Sequence, residues 1–331
     1  MEHKAYIDSL RGFAIWVVVI GHCCEFGLGH NDTLFNYMYF SFHMPLFMFI
    51  SGLVSFHRPD YKFLSFFKSK VYRLLIPFVI VGSLSCLARG IPVSDLFEDF
   101  AKKGYWFLPV LFFILLLMFP AYKLSNLLNK TNNLLKDIII YLIPLIVISC
   151  CYKLFTDYLN GLLSTKYIIK LYPFALIGLL TTKYHIIETY LHKDLIECSL
   201  IILSVISFIA IYHVKGPISI AGFFIVPIIY SLFKENKLLG ELYIFNKLGG
   251  VTLQIYVLHY FMIPSIKDLS KIIDSQQGQW LASDNWVLYA FISVILAVIV
   301  IAFTLCVIKI IEISPSLNFI LFGFKNKKKD V

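Results

Sequence analysis

Apolar residues dominate ten stretches of the chain, and short polar connectors separate them. Several of these stretches exceed the roughly 18 residues that cross a bilayer as a helix. The pattern therefore predicts ten membrane spans, and the sixth and eighth are short enough to be partly re-entrant. The predicted spans are 13–28, 33–56, 71–88, 105–122, 137–155, 167–182, 196–214, 217–233, 249–266 and 286–311.

Composition favours a membrane protein over a soluble one. Of the 331 residues, 59% are hydrophobic and 15% are charged, whereas a soluble domain has about 25% charged residues. The mean hydropathy of +0.79 leaves too little polar surface to cover a water-soluble globule. We predict an all-α, polytopic integral membrane helical bundle that forms a single domain over residues 1–331. A soluble enzyme, a disordered chain and a secreted disulfide scaffold are excluded.

The positive charges predict an orientation in the membrane. With the N-terminus inside, the cytoplasmic segments hold 20 of the 29 Lys and Arg residues and the opposite side holds nine, as the positive-inside rule requires. Both termini are then cytoplasmic, and the first apolar run, which lacks a cleavage site, is a helix rather than a signal peptide. We expect the cell inner (cytoplasmic) membrane of a bacterium, with the lysine-rich segment 325–329 on anionic membrane lipid.

The same residues argue against two other kinds of partner. The net charge of +9 is spread over short connectors, so we predict no nucleic-acid binding. The seven cysteines lie in or beside apolar runs, without a C-x-x-C pair or a histidine at zinc spacing. We interpret them as buried thiols and predict no metal.

Ionisable residues follow one face of the first helix. At about 100° per residue, Arg11 and His22 return to within about 20° of each other, about 16 Å apart along the axis. Asp8 precedes Arg11 by one turn, and Glu25 follows His22 by one turn. Such groups inside a membrane usually face a cavity or a partner, so the face indicates a wet path for an anionic ligand. Taken singly, each residue also has a structural interpretation: Arg11 as an interfacial anchor and His22 as a helix-packing residue.

Two further histidines fall in apolar spans. His43 stands two residues before Pro45, which frees a backbone carbonyl inside the second span. Tyr256 and His259 share a face of the ninth span. His43 can face the same cavity as His22 or serve only in packing, whereas Tyr256 and His259, taken singly, are interpreted as structural.

A pair of cations marks the cytoplasmic mouth of the third predicted helix. Lys70 and Arg73 are three residues apart, one turn of a regular helix, which suits a phosphate group. Ordinary positive-inside usage is the competing interpretation.

Four motifs in this order resemble those of the acyltransferase 3 family of integral membrane acyltransferases. Residues 6–14 followed by Gly21 and His22 resemble its signature of an arginine, ten residues and a histidine. The other three motifs are the second-helix pattern at 43–52, the W-F-L motif at 106–108 and the L-G-x-x-S-x-x-x-Y-x-x-H stretch at 248–259. Thr252 stands where serine is usual, and Lys70 stands where many members have arginine.

The resemblance implies transfer of an acyl group, usually acetyl from acetyl-CoA, to a hydroxyl of a glycan or another small acceptor. It implies that His22, Arg11 and Asp8 are catalytic, with the His22 imidazole as general base and Asp8 orienting Arg11. Coenzyme A is cytosolic and polyanionic, so we predict that Arg11, Lys70 and Arg73 bind it. The residues predicted to position the substrates are His43, Trp106, Tyr256 and His259. The C-terminal esterase-like domain of some members is not expected here.

Two other functions stay open at this point. A membrane transporter of a glycan precursor or of a proton-coupled solute would also use intramembrane His and Arg. We find no clear repeat between the halves and no paired broken helices, which are usual signs of a transporter. A non-catalytic assembly subunit would leave the polar face of the first helix unexplained.

Overall fold

The computed structural model describes residues 5–29, 34–56, 62–99, 101–187, 194–214, 220–266 and 286–323. Every regular element in those ranges is helical. In chain order the α-helices are α1 (Ala5–His22), α2 (Leu34–Ser55), α3 (Phe63–Lys70), α4 (Ile76–Ala88), α5 (Asp95–Glu98), α6 (Phe107–Leu128), α7 (Leu134–Leu154), α8 (Thr156–Leu163), α9 (Thr165–Tyr184), α10 (Asp194–Val214), α11 (Ile220–Glu235), α12 (Lys237–Gly240), α13 (Tyr243–Gly250), α14 (Thr252–Met262), α15 (Trp286–Ile313) and α16 (Pro315–Phe322).

The prediction of an all-α membrane protein is confirmed. Six helical segments of the described residues are long and apolar enough to cross a membrane. They are Ala5–Leu28, Tyr37–Ser55, Phe63–Ala88, Phe107–Leu128, Leu134–Leu154 and Val287–Ile313. The count of ten spans and the cytoplasmic placement of both termini stay predictions. Several of the cations used for that orientation lie outside the described residues: Lys215, Lys267, Lys271 and the segment 325–329.

The helix bounds differ from the predicted spans in three informative places. The first helix begins at Ala5 instead of residue 13, and the third apolar segment begins at Phe63 because a π-helical turn at Val71–Leu75 joins α3 to α4. The ninth predicted span is divided. Helix α13 ends at Gly250, and Val251, with φ −121° and ψ 24°, turns the chain into α14. Two adjacent glycines, which disfavour helix, precede this break.

The first of two compact units comprises residues 1–50 and 185–308. In this unit α1 packs closely against α13 through two glycines. A Cβ on Gly12 would overlap the carbonyl oxygen of Phe245, and one on Gly249 would overlap the carbonyl oxygen of Asp8. Only glycine permits this backbone approach, as in other helix pairs of membrane proteins. The contact holds α1 against the chain segment that leads directly into α14.

The far end of α1 is fixed by hydrogen bonds within the same unit. The Tyr39 hydroxyl of α2 donates to the carbonyl of Gly21 over 3.1 Å. A π-helical turn at Cys23–Leu28 follows α1, and the backbone N–H of Ile266 donates to the Gly27 carbonyl over 2.9 Å. Because π-helical turns are frequent at functional sites, the turn directly after His22 indicates that this end of α1 belongs to a functional site.

The second unit comprises residues 51–184 and 309–331. In it the last turn of α2 packs against α9, where a Cβ on Gly52 would overlap the Ala175 carbonyl oxygen. Helix α16 ends at Phe322, and the residue that follows it, Gly323, has a φ of +68° that favours glycine. A Cβ there would overlap the carbonyl oxygen of Tyr72. The end of α16 is therefore packed against the π-helical turn that contains Arg73.

The second unit also contains a buried carboxylate that the sequence did not single out. Asp137, on the first turn of α7, is fully buried. One carboxylate oxygen accepts from Ser125 Oγ and Asn129 Nδ2, each at 2.7 Å. The other accepts from Lys183 Nζ at 2.6 Å and from the Tyr184 hydroxyl at 2.8 Å. We call these five residues the Asp137 cluster; it joins α6, α7 and α9.

Lys102, a cation that the predicted topology places on the outer side of the membrane, has a structural role in the same unit. Lys102 is 1% exposed. Its ammonium donates to the Phe97 carbonyl at 3.0 Å and to the Gly161 carbonyl. Burial lowers the pKa of Lys102 to about 8. This lysine therefore joins the segment after α5 to α8 instead of meeting solvent.

Candidate active site

Two buried histidines from distant parts of the sequence meet in the first unit. His22 ends α1, and His259 lies on α14. Nδ1 of His22 is 2.8 Å from Nε2 of His259, and the two rings are nearly parallel, with an interplanar angle of 6°. His259 is 0% exposed and His22 is 8% exposed. The structure thus brings together two residues that the sequence placed on separate helices.

The partners of the two rings fix the positions of their protons. Nδ1 of His259 lies 2.9 Å from the carbonyl oxygen of Ile255. A carbonyl oxygen only accepts, so this nitrogen carries the proton, and Nε2 of a neutral His259 is then an acceptor. His22 must donate to it from Nδ1. With both imidazoles neutral, the remaining lone pair of His22 is on Nε2.

A tyrosine hydroxyl lies at that lone pair. The Tyr260 hydroxyl oxygen is 3.2 Å from Nε2 of His22, and the tautomer just derived makes the hydroxyl the donor. The Tyr260 ring also packs on both imidazoles, with centroids 4.8 Å from His22 and 4.3 Å from His259. Donors therefore point along one direction, from Tyr260 to His22, to His259 and to the Ile255 carbonyl. We call this series the His22 chain.

Sequence reasoning missed Tyr260. The motif pointed to its neighbour His259. Because consecutive helical residues point about 100° apart, Tyr260 was not expected to contact the same partner as His259. Both nevertheless contact His22, because the centroids of the His259 and Tyr260 rings lie 4.3 Å apart and both rings pack on the same imidazole. A tyrosine in an apolar helix carries no local signal of such a contact.

At the other end of α1, Arg11 and Asp8 form an ion pair. Nη1 of Arg11 is 3.0 Å from Oδ1 of Asp8, and the two side chains are 33% and 16% exposed. Because α1 is regular from Ala5 to His22, the spacing that puts Arg11 and His22 on one face holds. Glu25 falls in the π-helical turn instead, so the regular spacing expected between His22 and Glu25 does not hold.

The other candidates of the first unit are also buried. His43 is 3% exposed, and its Nδ1 donates to the Tyr39 carbonyl over 2.6 Å. Tyr256 is 4% exposed, and its ring centroid lies 6.0 Å from that of His259. Tyr256 therefore packs beside the His22 chain.

The remaining candidates belong to the second unit. The Lys70 ammonium lies 5.3 Å from the centre of the Phe66 ring. Arg73 is exposed and sits inside the π-helical turn that follows Lys70, so the geometry of a regular α-helix does not describe this pair. The Trp106 ring stacks on Tyr167, with centroids 4.1 Å apart and an interplanar angle of 19°.

These features define a class of protein: a helical membrane protein with a buried, oriented imidazole in hydrogen-bond contact with a hydroxyl, an arrangement suited to proton transfer. The acyltransferase 3 family model, described as an acyltransferase domain, matches residues 4–308. The chain belongs to this family and is a multi-pass membrane acyltransferase, so the resemblance of the four motifs is confirmed. Neither the curated proteins nor the solved structures contain a significant match.

Proposed function

We propose that the protein is an O-acyltransferase of the bacterial inner membrane that transfers acetyl from cytosolic acetyl-CoA to a hydroxyl of a cell-envelope saccharide. The observation that supports this most directly is the lone pair on Nε2 of His22, which the His22 chain aims at a hydroxyl. Family membership supplies the acyl chemistry. It also favours an enzyme over the transporter that intramembrane His and Arg would otherwise allow.

In the proposed reaction His22 is the general base. An attacking hydroxyl oxygen bonds to the thioester carbonyl carbon while Nε2 of His22 takes its proton. As the C–S bond breaks, the same proton passes to the departing thiolate of coenzyme A. A neutral imidazole suits both steps because it can hold and return a proton near neutral pH.

We assign His259 to orienting His22. From the sequence, His259 was expected to position the acceptor. Its 2.8 Å contact with Nδ1 of His22 favours a different role, that of the third group in a nucleophile, base and orienting-residue arrangement. It holds His22 in the tautomer with the lone pair on Nε2 and accepts a hydrogen bond from the imidazolium that forms. His43, Tyr256 and Trp106 are retained as candidates for positioning the acceptor.

For the donor, we propose that Arg11, Lys70 and Arg73 bind the phosphates of coenzyme A. All three fall at the predicted cytoplasmic side, where the donor is found. The ion pair with Asp8 fixes one edge of the Arg11 guanidinium and directs its remaining N–H groups. Arginine can then bind phosphate through two parallel hydrogen bonds.

The function is tested by incubating the purified protein in lipid nanodiscs with acetyl-CoA labelled in the acetyl group. The acceptor is envelope polysaccharide that has been de-esterified with alkali. We expect label to appear on the polysaccharide in alkali-labile form, with release of one coenzyme A per ester formed. Transport of the polysaccharide without any loss of acetyl from the donor would contradict the proposal.

The donor site gives a separate prediction. Alanine at Arg11, Lys70 or Arg73 should weaken coenzyme A binding about 10- to 100-fold each, because a charged hydrogen bond contributes about 1.5–3 kcal/mol. The loss should be larger at low salt, since screening at a wet rim already weakens the wild type at high salt. Calorimetric titration of coenzyme A measures it.

A matched control is Lys309→Ala. Lys309 is 81% exposed and pairs with Glu312, and it is counted on the same predicted side of the membrane. It should leave coenzyme A binding unchanged. If the three alanine variants also bind like the wild type, these cations serve only in topology.

A further inference from the structure

We propose that Tyr260 is an acyl acceptor of this enzyme, and that the acyl group passes through an ester on its phenolic oxygen. This inference rests on the proposed function and extends it, because it names the hydroxyl that His22 activates first. The hydroxyl observed at the base belongs to the protein itself.

The geometry is that of an activated nucleophile. A nucleophile within hydrogen-bond reach of a base, with the base oriented by a third group, is the structural signature of covalent catalysis. Tyr260, His22 and His259 meet it: the hydroxyl lies 3.2 Å from Nε2 of His22, and Nδ1 of His22 lies 2.8 Å from His259. The hydrogen-bond directions agree, because Tyr260 is the donor to the lone pair that would take its proton.

The environment holds this hydroxyl in place. The Tyr260 ring packs on both imidazoles and, edge to face, on Phe26 at 5.7 Å. Phe26 in turn contacts the His22 ring at 5.5 Å. An acceptor saccharide that attacked the thioester directly would have to displace this packed ring from the base.

The chemistry of a phenol suits an intermediate acceptor. A phenolate, like a thiolate, is a much weaker base than an alkoxide, so a tyrosine ester keeps much of the reactivity of the thioester. Transfer from the tyrosine ester to a sugar hydroxyl is then favourable. An ester on an alcohol side chain would offer no such advantage.

Two balanced steps describe the transfer. In the first, the Tyr260 oxygen bonds to the thioester carbonyl carbon, His22 takes the phenolic proton, and the C–S bond breaks. His22 returns the proton to the thiolate, so coenzyme A leaves as the thiol. In the second, the acceptor hydroxyl attacks the tyrosine ester, His22 takes its proton, and the C–O bond to Tyr260 breaks. The proton returns to the Tyr260 oxygen and restores the enzyme.

Separation of the two steps has a physical benefit in a membrane. The proposed donor is cytosolic, and as part of this proposal the acceptor saccharide enters from the opposite side. A covalent intermediate allows coenzyme A to leave before the acceptor enters, so the site need not be open to both aqueous phases at once.

The test is the half-reaction without acceptor. Wild-type protein in nanodiscs is mixed with acetyl-CoA labelled in the acetyl group, quenched in acid at short times, and assayed for free coenzyme A and for protein-bound label. We expect a burst of about one coenzyme A per protein molecule, as covalent catalysis requires. Peptide mass spectrometry should locate the acetyl group on Tyr260.

Two variants complete the experiment. Tyr260→Phe keeps the ring and loses only the hydroxyl, and it should show neither burst nor label. The matched control is Tyr243→Phe in the same unit: Tyr243 is 70% exposed, and this variant should behave as the wild type. With acceptor present, the wild type should also show ping-pong kinetics.

The outcomes separate this inference from the proposed function. If the wild type releases coenzyme A only after acceptor is added, if the label lies on another residue, or if Tyr260→Phe transfers at the wild-type rate, the tyrosine ester is wrong while O-acyl transfer stands. If the wild type neither releases coenzyme A nor transfers acetyl with acceptor present, the proposed function itself fails. The wild-type label map decides the question even if Tyr260→Phe does not fold.

Discussion

Replacement of His22 by alanine is expected to lower acyl transfer about 10²- to 10⁴-fold, the usual contribution of a general base. The variant loses the lone pair on Nε2 and, with it, the hydrogen bond between the Tyr260 hydroxyl and His22. The buried imidazole is replaced by a smaller apolar group, so the helix itself should persist. Turnover is measured with labelled acetyl-CoA at saturating donor and acceptor.

A loss of catalysis must be distinguished from a loss of structure. Coenzyme A binding to His22→Ala should stay within about twofold of the wild type, because Arg11, the predicted donor-binding residue of this helix, is at the other end of α1. A companion variant, His259→Phe, keeps a flat buried ring but removes the acceptor for Nδ1 of His22. Its loss should be smaller, because the base remains and only its orientation is impaired. Retention of more than half of the wild-type turnover by His22→Ala would return His22 to a packing role.

Replacement of Asp137 by alanine is expected to destabilise the second unit by about 3 kcal/mol, the lower end of the effect of breaking a buried ion pair, because the Lys183 side chain is 26% exposed. The substitution takes away the acceptor of four hydrogen bonds. It also leaves the Lys183 ammonium without the carboxylate that it contacts at 2.6 Å. The expected result is a clear fall in the thermal unfolding midpoint of the protein in detergent micelles.

The double variant Asp137→Asn with Lys183→Met tests the cause. It removes both charges but keeps an oxygen that can accept from Ser125 or Asn129. It should therefore be more stable than Asp137→Ala alone. Glu312→Gln is the control, because Glu312 forms an exposed pair with Lys309 and such a pair contributes less than about 1 kcal/mol. If Asp137→Ala melts like Glu312→Gln, the Asp137 cluster does not stabilise the fold.

Part of the candidate site could be predicted from the periodicity of residues within a single helix. The positions of Arg11 and His22 on one face follow from the period of a regular helix, and α1 is regular over both. The contact between Arg11 and Asp8 likewise depends only on a three-residue spacing within one helix. The period of a regular helix does not apply in the π-helical turns that contain Glu25 and Arg73.

The amino-acid sequence by itself determined the all-α membrane architecture, because long apolar stretches must satisfy their own backbone hydrogen bonds as helices in lipid. It also determined the family, through motifs spread over most of the chain. The tertiary structure alone decided which side chains meet. His22 and His259 are 237 residues apart, and Asp137 and Lys183 are joined across helices α7 and α9. Helical periodicity fixes the face on which a residue lies, but its partner depends on how the helices pack. In the first unit that packing depends on the absence of a Cβ at Gly12 and Gly249. The close approach of α1 and α13 at these glycines brings α14 beside α1. No local sequence pattern encodes this approach.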